Sequence, residues 1–166
     1  MPDNTTIRPA KAEDVTLILS FIRGLAEYEK LSHQVVASEQ DLQRTLFGER
    51  PSAEVLIAEY AGEPCGFALF FSSYSTFLAR PGIYLEDLFV LPDYRDRGIG
   101  RALLSYLAAV VEERQMGRLD WSVLDWNEPA IKFYEKIGAR GLTDWTQYRL
   151  DGRALHHLAK ISHQTH

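Results

Sequence analysis

The run IYLEDLFV at residues 83–90 does most to limit what this chain can fold into. Its apolar side chains fall on both faces of a strand, and a strand of that kind belongs inside a sheet with both sides covered. Yet its middle carries two adjacent acids, Glu86 and Asp87. Alternation puts Tyr84, Glu86, Leu88 and Val90 on one face and Ile83, Leu85, Asp87 and Phe89 on the other. A solvated face would account for one acid and leave the other buried. An unpaired buried carboxylate costs several kcal/mol, comparable with the whole stability of a small domain. The pair therefore needs either a use or a local opening to water.

Around this strand the chain reads as an α/β sheet with mixed pairing. Residues 5–8 form a short strand stopped by Pro9, and from Asp14 an amphipathic helix places Ile18, Phe21, Ile22, Leu25 and Tyr28 on one face. Ser38, followed by Asp41, caps a second helix that carries Leu42 and Leu46 and ends at Gly48 and Pro51. Strands at 54–60 and 66–71 form a hairpin through AGEPC, and SYSTFLARPG reads as a loop. After LPDYRDRGIG comes a long helix with Leu103, Leu104, Leu107, Ala108 and Val111 as its apolar face, broken by Gly117. A strand at 119–124 follows, then a short helix from Asn127 with Pro129 in its first turn and Gly138 beyond its end. A strand at 147–150 and a weak terminal helix complete the order.

With 166 residues and 46% hydrophobic content, one domain over 1–166 is expected, its core at about 5–160. The formal charge of -5 and pI near 5.5 argue against a general nucleic-acid or anionic-membrane binder. The start, MPDNTTIRPAKAEDV, lacks the basic and apolar stretches of a signal peptide, and no window approaches the ~20 apolar residues of a membrane helix, so a cytoplasmic location is expected. Cys65 is single and reads as a half-buried small residue. His156 and His157 are adjacent and do not face one metal, so no metal site is expected.

Residues 95–100, RDRGIG, lie between an apolar strand and a helix, where backbone N–H groups lack intrahelical acceptors and attract anions. Gly98 and Gly100 allow close approach of a phosphate, and Arg95, Arg97 and Arg101 surround it with positive charge. A Walker loop would need Gly-Lys-Ser/Thr, and a dinucleotide fingerprint would need Gly where Leu103 stands. The R-x-x-G-x-G pattern, after an apolar strand ending V-x-P, resembles the acetyl-CoA pyrophosphate loop of the GCN5-related N-acetyltransferase (GNAT) superfamily. VLDWNEPAIKFYEKIGA at 123–139 resembles that superfamily's second conserved block. IRPA at 7–10, YLEDLFV at 84–90, Tyr94-Arg95 and the DWN of 125–127 resemble the diamine acetyltransferase branch, the spermidine/spermine and thialysine enzymes. Tyr74-Ser75-Thr76 and VLDWN lean toward the thialysine type. Two departures stand out: YSTFLARPG lacks the acid with which polyamine enzymes hold a distal ammonium, and Asp96 stands where the family usually has Gly.

The resemblance implies a single-domain fold: a mixed, mostly antiparallel sheet flanked by helices and splayed by a bulge at the acetyl-CoA-binding strand. It implies acetyl-CoA as cosubstrate without a metal, a small-molecule primary amine as acceptor, and a homodimer. A primary amine of pKa about 10.4 is neutral in roughly one molecule in a few thousand at pH 7, so acyl transfer needs a base. Glu86 is the candidate, through a water, with a pKa raised by its apolar strand. Tyr134 is the candidate acid for the leaving thiolate; ordinary core packing with Ile131 and Ile137 would also explain it, and the family match favours the acid. Leu88 N–H is expected at the oxyanion and Val90 at the pantetheine arm. Arg95, Asp96, Arg97, Gly98, Ile99, Gly100, Arg101 and Asn127 complete the expected cofactor contacts. Asp87 is expected at the substrate ammonium, with Tyr28 and Glu29 as looser contacts. The competing functions are a protein lysine or N-terminal acetyltransferase, a non-catalytic CoA-binding module, and a nucleotide-binding switch, the last weakened by the missing Walker residues.

Overall fold

A computed structural model describes residues 4–163. Residues Met1–Leu124 and Asp125–His166 make two compact units. The first holds a five-stranded sheet in the order β1-β2-β3-β4-β5. Its strands are β1 (Thr5–Pro9), β2 (Glu54–Tyr60), β3 (Glu63–Ser75), β4 (Arg80–Val90) and β5 (Leu119–Trp121). All neighbours are antiparallel except β4 and β5, which run parallel. The mixed, mostly antiparallel sheet expected from the sequence is thus present.

Its two faces are covered by helices whose apolar stripes fix their orientation. On one face α1 (Val15–Tyr28) and α2 (Glu39–Phe47) close a core of Val15, Ile18, Phe21, Leu42, Leu46, Val55, Ile57, Phe67 and Phe89. The Phe21 ring stacks on Phe67 at 5.4 Å and lies 6.4 Å from Phe89. Gly24 permits this closeness, because a Cβ there would stand 2.8 Å from the Phe89 ring. α3 (Ile99–Glu113) buries Ile99, Ala102, Leu103, Leu104, Leu107 and Val110, so its inward stripe is turned slightly from the expected one, with Ala108 exposed. No helix among the described residues is long and apolar enough to cross a membrane.

The helix ends follow backbone chemistry. Ser38 Oγ accepts from Asp41 N–H at 3.1 Å while the Asp41 carboxylate accepts from Ser38 N–H at 3.0 Å, the reciprocal box anticipated for α2. At the other end of α3, Gly117 is not the terminator. The helix stops at Glu113 because Gln115 turns left-handed (φ 58), its N–H bonding Glu112 C=O at 3.0 Å and Met116 N–H bonding Val111 C=O at 2.8 Å. Lys30 (φ 62) closes α1 in the same way, with Leu31 N–H on Ala26 C=O at 2.8 Å.

Three expectations need correction. SYSTFLARPG is mostly strand: β3 runs on to Ser75 and β4 begins at Arg80, because residues 71–75 alternate between sheltered and exposed positions and pair with 80–84. Ser75 Oγ, accepting from Leu78 N–H at 3.2 Å, closes the turn between them. The strand expected at 119–124 is only β5, since its pairing with β4 ends at Leu85↔Trp121. Residues 147–150 join no ladder and are exposed; strand propensity becomes a strand only where a partner edge is engaged. In the second unit, α4 (Glu128–Lys136) and α5 (Gly152–His163) are the helices.

Candidate active site

The register of β4 explains the paired acids. Leu85 pairs with Phe70 and Asp87 with Leu69, so Glu86 is an extra residue, a bulge. Directly opposed residues share a face. Before the bulge Ile83 and Leu85 therefore share the face of Ser72 and Phe70; after it Asp87 and Phe89 share the face of Leu69 and Phe67, the one covered by α1. Simple alternation, which kept these four residues together, fails at Glu86.

Glu86 is exposed and Asp87 half-buried, so the burial that the sequence argument assigned to Glu86 falls on its neighbour. Asp87 is pushed up from 3.8 to about 7, first by desolvation, then by the charges of Glu86 and Glu29. Glu29, which follows the last residue of α1, is half-buried; its carboxyl is raised by burial and then by Glu86. The helix end and the bulge thus bring three carboxylates within electrostatic reach of one another. Among the described residues no group of three His, Cys, Asp or Glu is arranged to hold a metal ion.

Beyond the bulge, one edge of β4 pairs with no strand among the described residues. Leu91 N–H donates to Cys65 C=O at 2.7 Å, toward β3, which by alternation turns the N–H groups of Leu88 and Val90 to the opposite edge. The β5 ladder on that edge stops at Leu85. Two N–H donors, at Leu88 and Val90, therefore line a strand edge directly after the acids.

The following loop carries the expected anion cradle. Asp96 adopts φ 64 and Gly98 φ 77, both left-handed, and Gly98 precedes α3 without any side-chain cap. The first intrahelical bond is Ala102 N–H to Gly98 C=O at 3.0 Å, so the amides of Ile99, Gly100 and Arg101 come before the helical ladder begins. A Cβ at Gly100 would meet nothing within 4 Å, which marks open space, whereas the Ile99 side chain is buried as an anchor. Asp96 is exposed and makes no ion pair with Arg97 or Arg101 among the described residues.

Two of the loop arginines lie over aromatic rings. The Arg95 guanidinium stacks over Tyr28 at 5.0 Å and Phe89 at 5.6 Å, and its Nε donates to Val90 C=O at 3.0 Å. Arg97 stacks over Tyr60 at 4.7 Å and Tyr94 at 5.5 Å. Phe89 and Gly24 were not singled out in the sequence. A glycine inside an amphipathic helix was the available signal, since it costs about 1 kcal/mol there unless a close approach requires it.

In the second unit Asn127 is buried and caps α4, its Oδ1 accepting from Ala130 N–H at 3.4 Å. Tyr134 is half-buried on α4 beside Phe133, with ring centroids 5.7 Å apart, so its side chain is not sealed in a core. Gly138, with φ 96, ends that helix as expected. Trp126 and Trp145 are exposed in this unit.

The fold is shared with solved structures. The integron cassette protein VCH_CASS6 from the mobile metagenome of V. cholerae superposes with a TM-score of 0.79 at 30% identity, covering 95% of this chain and 98% of that one. The sequence profile of the Acetyltransferase (GNAT) family matches residues 22–139. The chain belongs to this family. It is therefore an N-acetyltransferase of the GNAT type, a family that uses acetyl-CoA as acetyl donor. A thialysine N-epsilon-acetyltransferase of Sus scrofa is 43% identical over 92% of this chain and 96% of its own length. The L-ornithine N5-acetyltransferase NATA1 of Arabidopsis thaliana is 32% identical over 94% of this chain and 88% of its own.

Proposed function

We propose that this GNAT enzyme moves the acetyl group of acetyl-CoA to the primary amine of a small cationic substrate, thialysine-like or a short diamine. The observation that carries the reading is the carboxylate group of Glu29, Glu86 and Asp87, gathered beside the N–H donors of the β4 edge. Acids so placed attract an ammonium and can take its proton, while the N–H groups favour negative charge on an acyl oxygen. The names of the Sus scrofa and Arabidopsis thaliana relatives point the same way, both specifying a side-chain amine of an amino acid.

In this reading Glu86, exposed and reachable by water, removes the amine proton, while Asp87 and Glu29 hold the substrate's charge with Tyr28 alongside. Leu88 N–H meets the developing oxyanion and Val90 N–H the pantetheine arm. The pyrophosphate lies on the amides of Gly98, Ile99, Gly100 and Arg101, flanked by Asp96 and Arg97, with Asn127 contributing from the start of α4. Tyr134 returns a proton to the departing thiolate, which at a thiol pKa of about 8.5 would otherwise leave unprotonated in part. The enzyme is read as cytoplasmic and, on the family resemblance, as a homodimer, and sedimentation checks the second point. Thiol release from acetyl-CoA, followed across short diamines, spermidine, spermine, thialysine, lysine, ornithine and a lysine peptide, tests the acceptor class. The highest kcat/KM should fall on thialysine or a short diamine, and a preference for spermine or the peptide would overturn that assignment.

A further inference from the structure

Arg95, one of the three loop arginines expected at the pyrophosphate, is engaged by two aromatic rings and a strand carbonyl. Arg95 lies over the rings of Tyr28 and Phe89, with centroids at 5.0 and 5.6 Å, and bonds Val90 C=O at 3.0 Å. These rings belong to different elements: Tyr28 is the last residue of α1, and Phe89 lies on β4 two residues past Asp87. A planar guanidinium on both rings joins the helix end to the strand. Glu29 follows Tyr28 directly, so whatever fixes Tyr28 also fixes Glu29 against Asp87 and Glu86.

That restraint has physical work to do. Three carboxylates repel one another, and the C-terminal end of α1 adds the negative end of its dipole. When ionised, these charges oppose the close approach of the helix end and the bulge. Gly24 lets α1 lie close enough to Phe89 for the clamp to form, and the Arg95 side chain bridges Tyr28 and Phe89. Movement of the guanidinium to the start of α3 would abandon the Val90 carbonyl and both rings, whereas Arg101 already sits on α3's first turn.

Resting on the function proposed above, we propose that Arg95 is a positioning residue for the amine acceptor: by clamping Tyr28 to Phe89 it sets the spacing of Glu29 from Asp87, and so the charge spacing of the substrate. Lysine at 95 keeps the positive charge that a phosphate would require and loses the planar stack and its fixed fork of donors. R95K should therefore raise the amine KM about 5- to 10-fold with kcat falling less, and leave the acetyl-CoA dissociation constant within about twofold.

The test measures amine KM, kcat and, by calorimetry without amine, acetyl-CoA affinity for wild type and R95K, each also in Tyr28→Phe and Tyr28→Leu backgrounds. Tyr28→Phe keeps the ring, so the R95K penalty on amine KM should persist there. Tyr28→Leu removes it, so the penalty should vanish. If R95K fails to fold, Tyr28→Leu alone must raise amine KM with acetyl-CoA affinity retained. An R95K loss in acetyl-CoA affinity with unchanged amine KM would make Arg95 a phosphate ligand and overturn the clamp, as would an undiminished penalty in the Leu background. A wild type that acetylates no amine at all would overturn the functional reading, and the clamp with it; the clamp alone fails when the wild type is active.

Discussion

Asp87→Asn should stabilise the protein, and by more at high pH than at low. Asp87 titrates at about 7 in the folded state against 3.8 for the free side chain. Because the folded pKa is the higher, the unfolded chain gives up this proton first. The carboxyl therefore lowers stability progressively as pH rises from about 4 to about 7, and by a constant amount above that. A shift of about 3 units at 1.36 kcal/mol each sets a ceiling of about 4 kcal/mol. Half-burial and relaxation of the neighbouring Glu29 and Glu86 reduce the realisable part to about 1–2 kcal/mol. Asn preserves size and hydrogen-bonding capacity while removing the charge. In urea titrations of both proteins at pH 4 and pH 8, the Asn variant's advantage should be less than half complete at pH 4 and nearly full at pH 8. Equal gains at the two pH values would refute the argument, since they would show the cost of Asp87 to be independent of its ionisation.

Tyr134→Phe should cut kcat by about 10² or more with acetyl-CoA affinity little changed, because it removes a proton donor and leaves the ring; rapid-quench turnover with parallel titration checks this. Glu86→Gln should lower the rate most near pH 7 and least near pH 10, where the amine deprotonates unaided, so a pH–rate profile with a constant deficit would reduce Glu86 to substrate positioning. Asp96→Gly should change acetyl-CoA affinity less than twofold at either of two ionic strengths, since Asp96 is exposed, and raise stability by up to about 1 kcal/mol by relieving its left-handed backbone (φ 64). Gln115→Gly should stabilise by about 0.5–1 kcal/mol for the same reason at the end of α3 (φ 58), read as a higher urea midpoint with unchanged kcat.

The parts of the fold governed by local chemistry were legible in the sequence. The Ser38–Asp41 box, the glycine-initiated start of α3 and the Asn127 cap each need only a few adjacent residues, and all three are present. What depended on distant partners was harder to read. The length of β3 and the absence of a strand at 147–150 were decided by which edge pairs with which, and strand propensity does not encode that. At the site, two adjacent acids in an apolar strand called for a use or an opening to water, and the bulge that the family resemblance implied lies at Glu86. Which acid would be the more buried was not legible, because it depends on the face that α1 covers. Arg95 illustrates the same limit: its place in a phosphate-binding pattern was visible, while the rings it lies on come from positions 28 and 89.

The central claim, that this chain transfers an acetyl group to a small amine, is tested most directly by mass spectrometry of the amine after incubation with acetyl-CoA and catalytic amounts of protein, alongside the free thiol released. The account predicts one acetyl group gained on thialysine or a short diamine for each CoA thiol set free, over many turnovers. Acetyl-CoA binding without acetylated amine, whichever acceptor is offered, would contradict it and make the chain a CoA-binding module.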